Sequence, residues 1–584
     1  MTTDVRPGGA NGPRPGGRRL RGFLARRLPI TTWLPVYHGT WFRGDAVAAL
    51  TVIGLLLPEA MAYAQLAGAP PKAGLYATLA GLILYAVFGT SRQTVCSPTS
   101  TAAIMTAAAV ASVGPRSPAE TMALVAGVAL LTGAISLIAG AARLGFIASF
   151  LSRPVVTGYL CGLALIIIVR QMPKLLGVVV TADGGFFHQL WNDFKSLGSV
   201  SAWTLVISCV ALALLFGLRR LLPRLPAALL ALGVGILAAV AFRLGSHGVA
   251  LVGTIPAALP TPRLPQLSLA DVLQLAPGAA GIAVVVFAEA LSGARTFATR
   301  HRYDIDADQE LIALGVANLG AGVVGGIAVS GGITGSALND ASGARSQLSS
   351  LLAAAVMLLT LLVLTPVFRH LPQAVLGAIV VRAVWGLIDL RELRRYARVR
   401  PIDLVLALAA LFAVLGLGVL PGLGAAVGLS LLVLIYRSSR PHAAVLGRVP
   451  GERTYTDLAR HPENEQFPGL LIFRLDAQLF FANAGFAHDR LSALVTAAEP
   501  PPRVVLWDLE VTTDLDITSA DMLRRTEQEL RAGGTDLMFA RVRDPVRDMF
   551  RRSGLLRLVG EDQLFLTVDD GVQHFLAQRD DGTD

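Results

Sequence analysis

Two apolar runs of this chain are broken in the middle by small and polar residues, at Cys96-Ser97-Pro98-Thr99-Ser100-Thr101 and at Val329-Ser330-Gly331-Gly332-Ile333-Thr334-Gly335-Ser336. Each break follows, by about forty residues, a carboxylate embedded in another apolar run, Glu59 for the first and Glu289 for the second, so one design occurs twice. Hydrocarbon offers a freed backbone amide no hydrogen bond, so a broken helix is tolerated at membrane depth only where protein or an aqueous cavity covers it. Two facing breaks therefore point to a substrate site.

The surrounding composition requires a membrane. Mean hydropathy is +0.59, with 53% hydrophobic and only 15% charged residues over 584 positions, which excludes an ordinary water-soluble protein. Runs long enough to cross about 30 Å of hydrocarbon begin near Asp45, Gly74, Thr94, Glu120, Leu151, Ala202, Ala227, Pro277, Gln309, Gly331, Leu348, Ala374, Ile402 and Gly422. Glycines interrupt the run near Gly331, and Arg382 interrupts the one near Ala374.

Loop charge orients these spans. If the head with Arg6, Arg14, Arg18, Arg19, Arg21, Arg26, Arg27 and Arg43 is cytoplasmic, the loops on its side also hold Arg92, Arg143, Arg153, Arg219, Arg220, Arg224, Arg295, Arg300, Arg302, Arg345, the Arg391–Arg400 cluster, Arg437 and Arg440. The other side holds only Lys72, Arg116, Arg170, Lys174, Lys195, Arg243, Arg263 and Arg369. The positive-inside rule then places both termini in the cytoplasm of a cell-membrane protein. The net charge of +10 is read as orienting the chain, with no nucleic-acid partner implied.

Other chemistries find little support. Cys96, Cys161 and Cys209 are odd in number, lie in or beside apolar spans and lack metal-ligand spacing. His38, His188, His247, His301, His370 and His442 fall in loops or at span ends without a converging pair, so no metal site is expected. No phosphate-cradling Gly-x-x-x-x-Gly-Lys-Ser/Thr loop is present. The expected cofactor set is therefore empty, a co-transported H⁺ or Na⁺ aside.

Seven spans fall in residues 45–245 and seven in 277–437, and an odd number per repeat forces the second to enter inverted. The broken segment is third in each. Its two copies would meet near the midplane, directing half-helix N-termini with free amides and partial positive charge at one point, where an anion is the expected occupant. Residues 1–40 read as a disordered basic cytoplasmic head, 41–440 as the transport domain, and 441–584 as a Pro-punctuated linker and a soluble cytoplasmic α/β domain. In that domain Leu470–Leu475, Leu479–Ala482, Val504–Leu509 and Leu537–Ala540 read as strands, and Ser519–Ala532, Asp544–Ser553 and Gly571–Gln578 as helices.

Read together, these segments resemble the SulP family of anion transporters. The similarity rests on Leu57-Pro58-Glu59-Ala60-Met61-Ala62-Tyr63-Ala64, the following Leu66–Tyr76 and Phe88-Gly89-Thr90-Ser91-Arg92. Further matches are Glu289–Arg295, Gln309-Glu310-Leu311 with Gly315-Val316-Ala317-Asn318, and Gly343–Leu348. The tail resembles a STAS domain through Asp508, Asp516-Ile517-Thr518-Ser519 and Ser553-Gly554-Leu555. The resemblance implies fourteen transmembrane segments as a 7+7 inverted repeat, divided into a core (spans 1–4 and 8–11) and a gate (spans 5–7 and 12–14), with elevator-type movement of the core. It also implies a homodimer and a cytoplasmic partner for the STAS domain.

By position, the resemblance implies an anion site made of Glu59 and Tyr63 on span 1, Ser97, Thr99 and Ser100 on span 3, and Gly332, Ile333 and Thr334 opening span 10, with Glu289 on span 8 as the cation-coupling residue. Two departures stand out. The family often has Gln where Glu59 stands, and many members carry an Arg directly after a Ser at the positions of Thr334 and Gly335. Helix ends and hydroxyls would then balance the anion, as in a sodium-bicarbonate branch that also lacks this Arg. The residues leave alternatives open: Glu289 could pair with Arg295, the hydroxyls could bond back to their own helices, and Gly331-Gly332 could serve tight helix packing. In the tail, Asp516, Thr518 and Ser519 form a candidate regulatory loop, or Ser519 only caps a helix starting at Ala520. Two rival functions are an uncoupled anion channel and a STAS-based signalling sensor.

Overall fold

A computed structural model describes residues 27–115, 117–146, 152–178, 185–221, 226–254 and 258–580. Most of the basic head, Arg116 and Arg224 lie outside the described residues, as do the side chains of Arg219 and Arg220. Contacts divide the chain into two compact units, with the boundary between Ser430 and Leu431.

The first unit is helical. Its apolar segments are α1 (Phe42–Leu66), α2 (Pro71–Phe88), α3 (Ser100–Val113), α4 (Pro118–Ala141), α5 (Arg153–Leu176), α6 (Ala202–Leu221) and α7 (Ala227–Ala241). They continue with α8 (Leu269–His301), α9 (Ala307–Val323), α10 (Ile333–Ala341), α11 (Leu348–Leu359), α12 (Gln373–Trp385), α13 (Pro401–Leu417) and α14 (Val419–Ser439), which runs past the boundary. Proline opens α2, α4, α5 and α13 within the first two helical positions, where its missing N–H would have had no partner in any case. Ser117 and Asp306 cap α4 and α9 through their side chains, and Ser268 forms a capping box with Asp271 at α8. Among the described residues, eight helical stretches are long and apolar enough to cross a membrane, or nine if the pair bent by 119° at Ser199–Ala202 is one span; α3, α7 and α13 are shorter apolar helices. This is a polytopic helical membrane protein.

Packing sorts these helices into two groups. α1 packs on α2, α10 and α11, α2 on α9, α3 on α8, and α4 on α8 and α9. Separately, α5 packs on α12 and α13, and α6 on α7 and α12. The groups touch where α1 meets α7 and α12 and where α3 meets α12. Arg170 and Lys174, expected in a loop, instead occupy the last turns of α5, which runs on until Gly177 ends it in the left-handed conformation. The Lys174 ammonium donates to Gln65 at the end of α1, 3.2 Å away, which gives the charge a partner inside the fold.

In the second unit, six strands run in the order β4-β3-β5-β6-β7-β8: β3 (Ala443–Arg448), β4 (Tyr455–Asp457), β5 (Leu470–Leu475), β6 (Val504–Asp508), β7 (Asp536–Ala540) and β8 (Leu564–Phe565). β5 to β8 are parallel and β3 is antiparallel to both neighbours. Alternate residues feed two cores: Phe473, Trp507 and Phe539 lie on one face, Ile472, Leu506 and Met538 on the other. Two expectations fail here. The Pro-rich stretch from 441 is no mere linker, because Ala443–Asp457 supplies the β3–β4 hairpin that closes the sheet. Leu479–Ala482 is a loop, since the amide of Leu479 bonds the Thr512 hydroxyl and that of Phe480 the Asn483 side chain rather than a neighbouring strand.

Candidate functional site

The two broken segments meet. Cys96–Ser97 (β1) and Ser330–Gly331 (β2) form an antiparallel two-stranded ladder in which Cys96 faces Gly331 and Ser97 faces Ser330. From an antiparallel pair the outgoing chains leave at opposite ends, so α3 and α10 start beside one ladder and run away from each other. α3 has 14 residues and α10 has 9, about 21 Å and 14 Å of helix, so each is roughly a half-crossing with extended chain before it.

The helix starts carry the free donors of the site. Thr99 is the N-cap of α3 and its hydroxyl accepts from the amide of Ala102, so this hydroxyl does bond back to its own helix. The amides of Ser100 and Thr101 have no acceptor among the described residues. Gly332 is the N-cap of α10 and its carbonyl takes the amide of Ser336, leaving those of Ile333, Thr334 and Gly335 free by the same measure. Ser97, Thr99 and Ser100 are buried, whereas Ile333 and Thr334 are exposed and form the open side. Tyr63, buried on α1, lies beside Ser100 of α3 and within electrostatic reach of both Glu59 and Glu289, which draws the expected residues of α1, α3 and α8 together.

Each carboxylate has its own surroundings. Glu289 is half-buried on α8 and accepts a 3.4 Å hydrogen bond from Ser330 of the second break. Among the described residues it forms no ion pair with Arg295, whose side chain is exposed. Glu59 is half-buried on α1, and the opposing charge that acts on it is Arg382 of α12. The Arg382 guanidinium also lies 5.0 Å from the Phe216 ring centroid. The sequence signal for Arg382 was the charge interrupting an apolar run.

A buried polar scaffold holds the breaks in place. Glu310, fully buried on α9, accepts hydrogen bonds from the Tyr85 hydroxyl (2.6 Å), the Thr90 amide and hydroxyl (2.7 and 2.6 Å) and the Ser91 amide (3.3 Å). Gln347 donates to the carbonyls of Ser91 and Thr94, and Asn318 exchanges two hydrogen bonds with Val329. The Ser336 hydroxyl accepts from Val95 and donates to Gly332, tying one break to the other. Glu310→Ala strands these donors away from water and is expected to cost at least about 3 kcal/mol; a melting curve of the purified variant measures it.

The comparisons decide the family. Residues 42–410 match the sulfate permease family and residues 461–571 the STAS domain. The chain belongs to the sulfate permease family. A "probable sulfate transporter" of Mycobacterium tuberculosis (strain CDC 1551 / Oshkosh) is 41% identical over 542 residues, covering 92% of this chain and 96% of the relative. The structure of SLC26A9 superposes with a TM-score of 0.89 at 20% identity, over 99% of this chain and 98% of that one. The transmembrane domain of the cyanobacterium bicarbonate transporter BicA gives 0.60 at 24% identity, over 67% and 99%. This sulfate permease family member is thus a multi-pass membrane transporter of anions with a C-terminal STAS domain, and not an enzyme.

In the STAS domain, the candidate loop is arranged differently from the expectation. The helix starts at Ile517, and its N-cap is Asp516, which accepts from the Ser519 amide at 2.8 Å and, through its other oxygen, from the Phe481 amide at 2.6 Å. Ser519 therefore caps nothing. Its hydroxyl is buried without a partner among the described residues, while Thr518 is exposed.

Proposed function

We propose that this protein is a secondary active transporter that holds a small inorganic or carboxylate anion between the starts of α3 and α10 and couples its movement to H⁺ or Na⁺. The observation that carries this reading is the β1–β2 ladder, which joins the two breaks and leaves five amides free at oppositely directed helix starts. Sulfate is the first substrate to test, since the names of the mycobacterial relative and of a chloroplastic Arabidopsis thaliana relative (30% identical) specify sulfate.

In this reading the fourteen apolar segments cross the membrane as two inverted sets of seven, with both termini and the STAS domain in the cytoplasm and residues 1–40 as a basic head. The group α1–α4 with α8–α11 is the moving core, and α5–α7 with α12–α14 is the gate. Their separate packing supports rigid-body movement of one against the other. Glu289 carries the coupling ion. The protein functions as a homodimer, and Asp516 with the exposed Thr518 forms the regulatory contact for a cytoplasmic partner.

Arg382 supplies the cation that the start of α10 lacks, balancing Glu59 when the site is empty and the anion when it is full. Arg382→Gln is expected to weaken anion affinity by about tenfold or more, while Arg382→Lys retains most of it; direct binding of labelled sulfate reads both. The whole reading is tested by counterflow in proteoliposomes across labelled sulfate, bicarbonate, chloride and dicarboxylates, with and without Na⁺ and a pH gradient. Saturable, gradient-dependent uptake supports it. Large currents that persist without a gradient assign a channel instead.

A further inference from the structure

A cavity of about 510 Å³ lies at the other end of α1, between its first turn and the connection from α10 to α11. Thr40, Trp41, Arg43 and Val47 line one wall, Ser342 and Arg345 the other. Both arginine side chains are exposed, and neither has an ion-pair or hydrogen-bond partner among the described residues. The walls are firmly built. Buried Asp45 accepts from the Arg345 amide (2.7 Å) and from the amide and hydroxyl of Ser346 (3.2 and 2.7 Å), so its carboxylate ties one wall to the other and is itself covered by donors. A Cβ at Gly44 would stand 2.6 Å from the Gly343 carbonyl oxygen, so this close approach requires glycine.

We propose that this cavity is a headgroup site for an anionic phospholipid. Two unpaired guanidiniums on opposing walls suit a phosphate, which Arg binds through paired N–H donors. The cavity also opens onto apolar surface: Val47 is 50% exposed and Leu50, one turn further into the membrane segment, 64% exposed. A lipid bound by its phosphate would lay an acyl chain along that stripe, and Trp41 stands where interfacial aromatics belong. Basic pockets of this kind between membrane helices select anionic over zwitterionic headgroups, whose own cation offsets the phosphate. A free phosphate would use the arginines but not the apolar stripe. None of these residues belongs to the anion site between α3 and α10.

The test uses the purified full-length protein in detergent, titrated with short-chain phosphatidylglycerol, short-chain phosphatidylcholine and inorganic phosphate, with binding read by native mass spectrometry. Phosphatidylglycerol is expected to bind saturably and well ahead of the other two. R43Q/R345Q should weaken it by about thirtyfold, given the contribution of two basic residues near a membrane surface, and R43K/R345K should keep most of it. V47E, an exposed substitution that brings a like charge into the cavity, should abolish it and serves if the double variant does not fold. Unchanged phosphatidylglycerol affinity in either R43Q/R345Q or V47E overturns the proposal. Equal binding of inorganic phosphate assigns a soluble anion and overturns the lipid, and equal binding of phosphatidylcholine removes the headgroup selectivity.

Discussion

Glu289→Gln is expected to leave the protein folded and able to bind anion while making uptake indifferent to the H⁺ or Na⁺ gradient. The amide replaces a carboxylate of the same shape, so the contact with Ser330 survives in kind. What disappears is the charge. A carboxylate within a membrane span costs about 2.5 to 3.5 kcal/mol on insertion scales unless it has a task or a partner, and the described structure gives it no basic partner. A one-unit pH gradient can drive about tenfold accumulation per proton carried; the variant should show none of it, with counterflow at equal pH preserved. Initial rates across a pH series and with Na⁺ substitution provide the measurement, and unchanged coupling would remove Glu289 from the mechanism.

Gly332→Val should abolish high-affinity anion binding without unfolding the protein. A Cβ at Gly332 would meet only Thr99 Cγ2, at 3.4 Å, so there is room for it, but it would stand in the gap between the two helix caps. Valine's branched carbons would then cover the free amides of α10, and the loss of these charge-assisted contacts is expected to weaken binding on the order of a hundredfold. The neighbouring glycine provides the contrast. At Gly331 a Cβ would lie 2.8 Å from both Ala290 Cβ and Thr94 Cγ2, so Gly331→Ala should destabilise the fold itself. Labelled-sulfate binding together with melting temperatures separates the two effects.

The two breaks that frame the candidate site were legible because lipid restricts where a helix can be interrupted. An apolar run broken by Ser97-Pro98-Thr99 or by Gly331-Gly332 announces itself, and repetition about forty residues after Glu59 and Glu289 gives the two breaks a common purpose. That they join as a strand pair was not legible, since β1 and β2 are two residues each and too short for a period-two pattern. The proximity of Arg382 to Glu59 was hidden as well, because the two lie on helices more than three hundred residues apart in sequence. In the STAS domain the buried strands Val504–Asp508 and Asp536–Ala540 were readable as apolar runs. The β3–β4 hairpin was hidden by flanking prolines and polar residues, and the helix Ala484–Ala497 by its weak apolar periodicity. Ser519 misled because Asp516, three residues earlier, competes better for the same helix end.

The most direct measurement is an experimental structure of the protein soaked with selenate or bromide, located by its anomalous signal. A peak is expected between Thr99 and Gly332, within hydrogen-bonding reach of the amides of Ser100, Thr101, Ile333, Thr334 or Gly335. A saturating anion that gives its peak elsewhere, with those amides still facing empty space, would contradict this assignment.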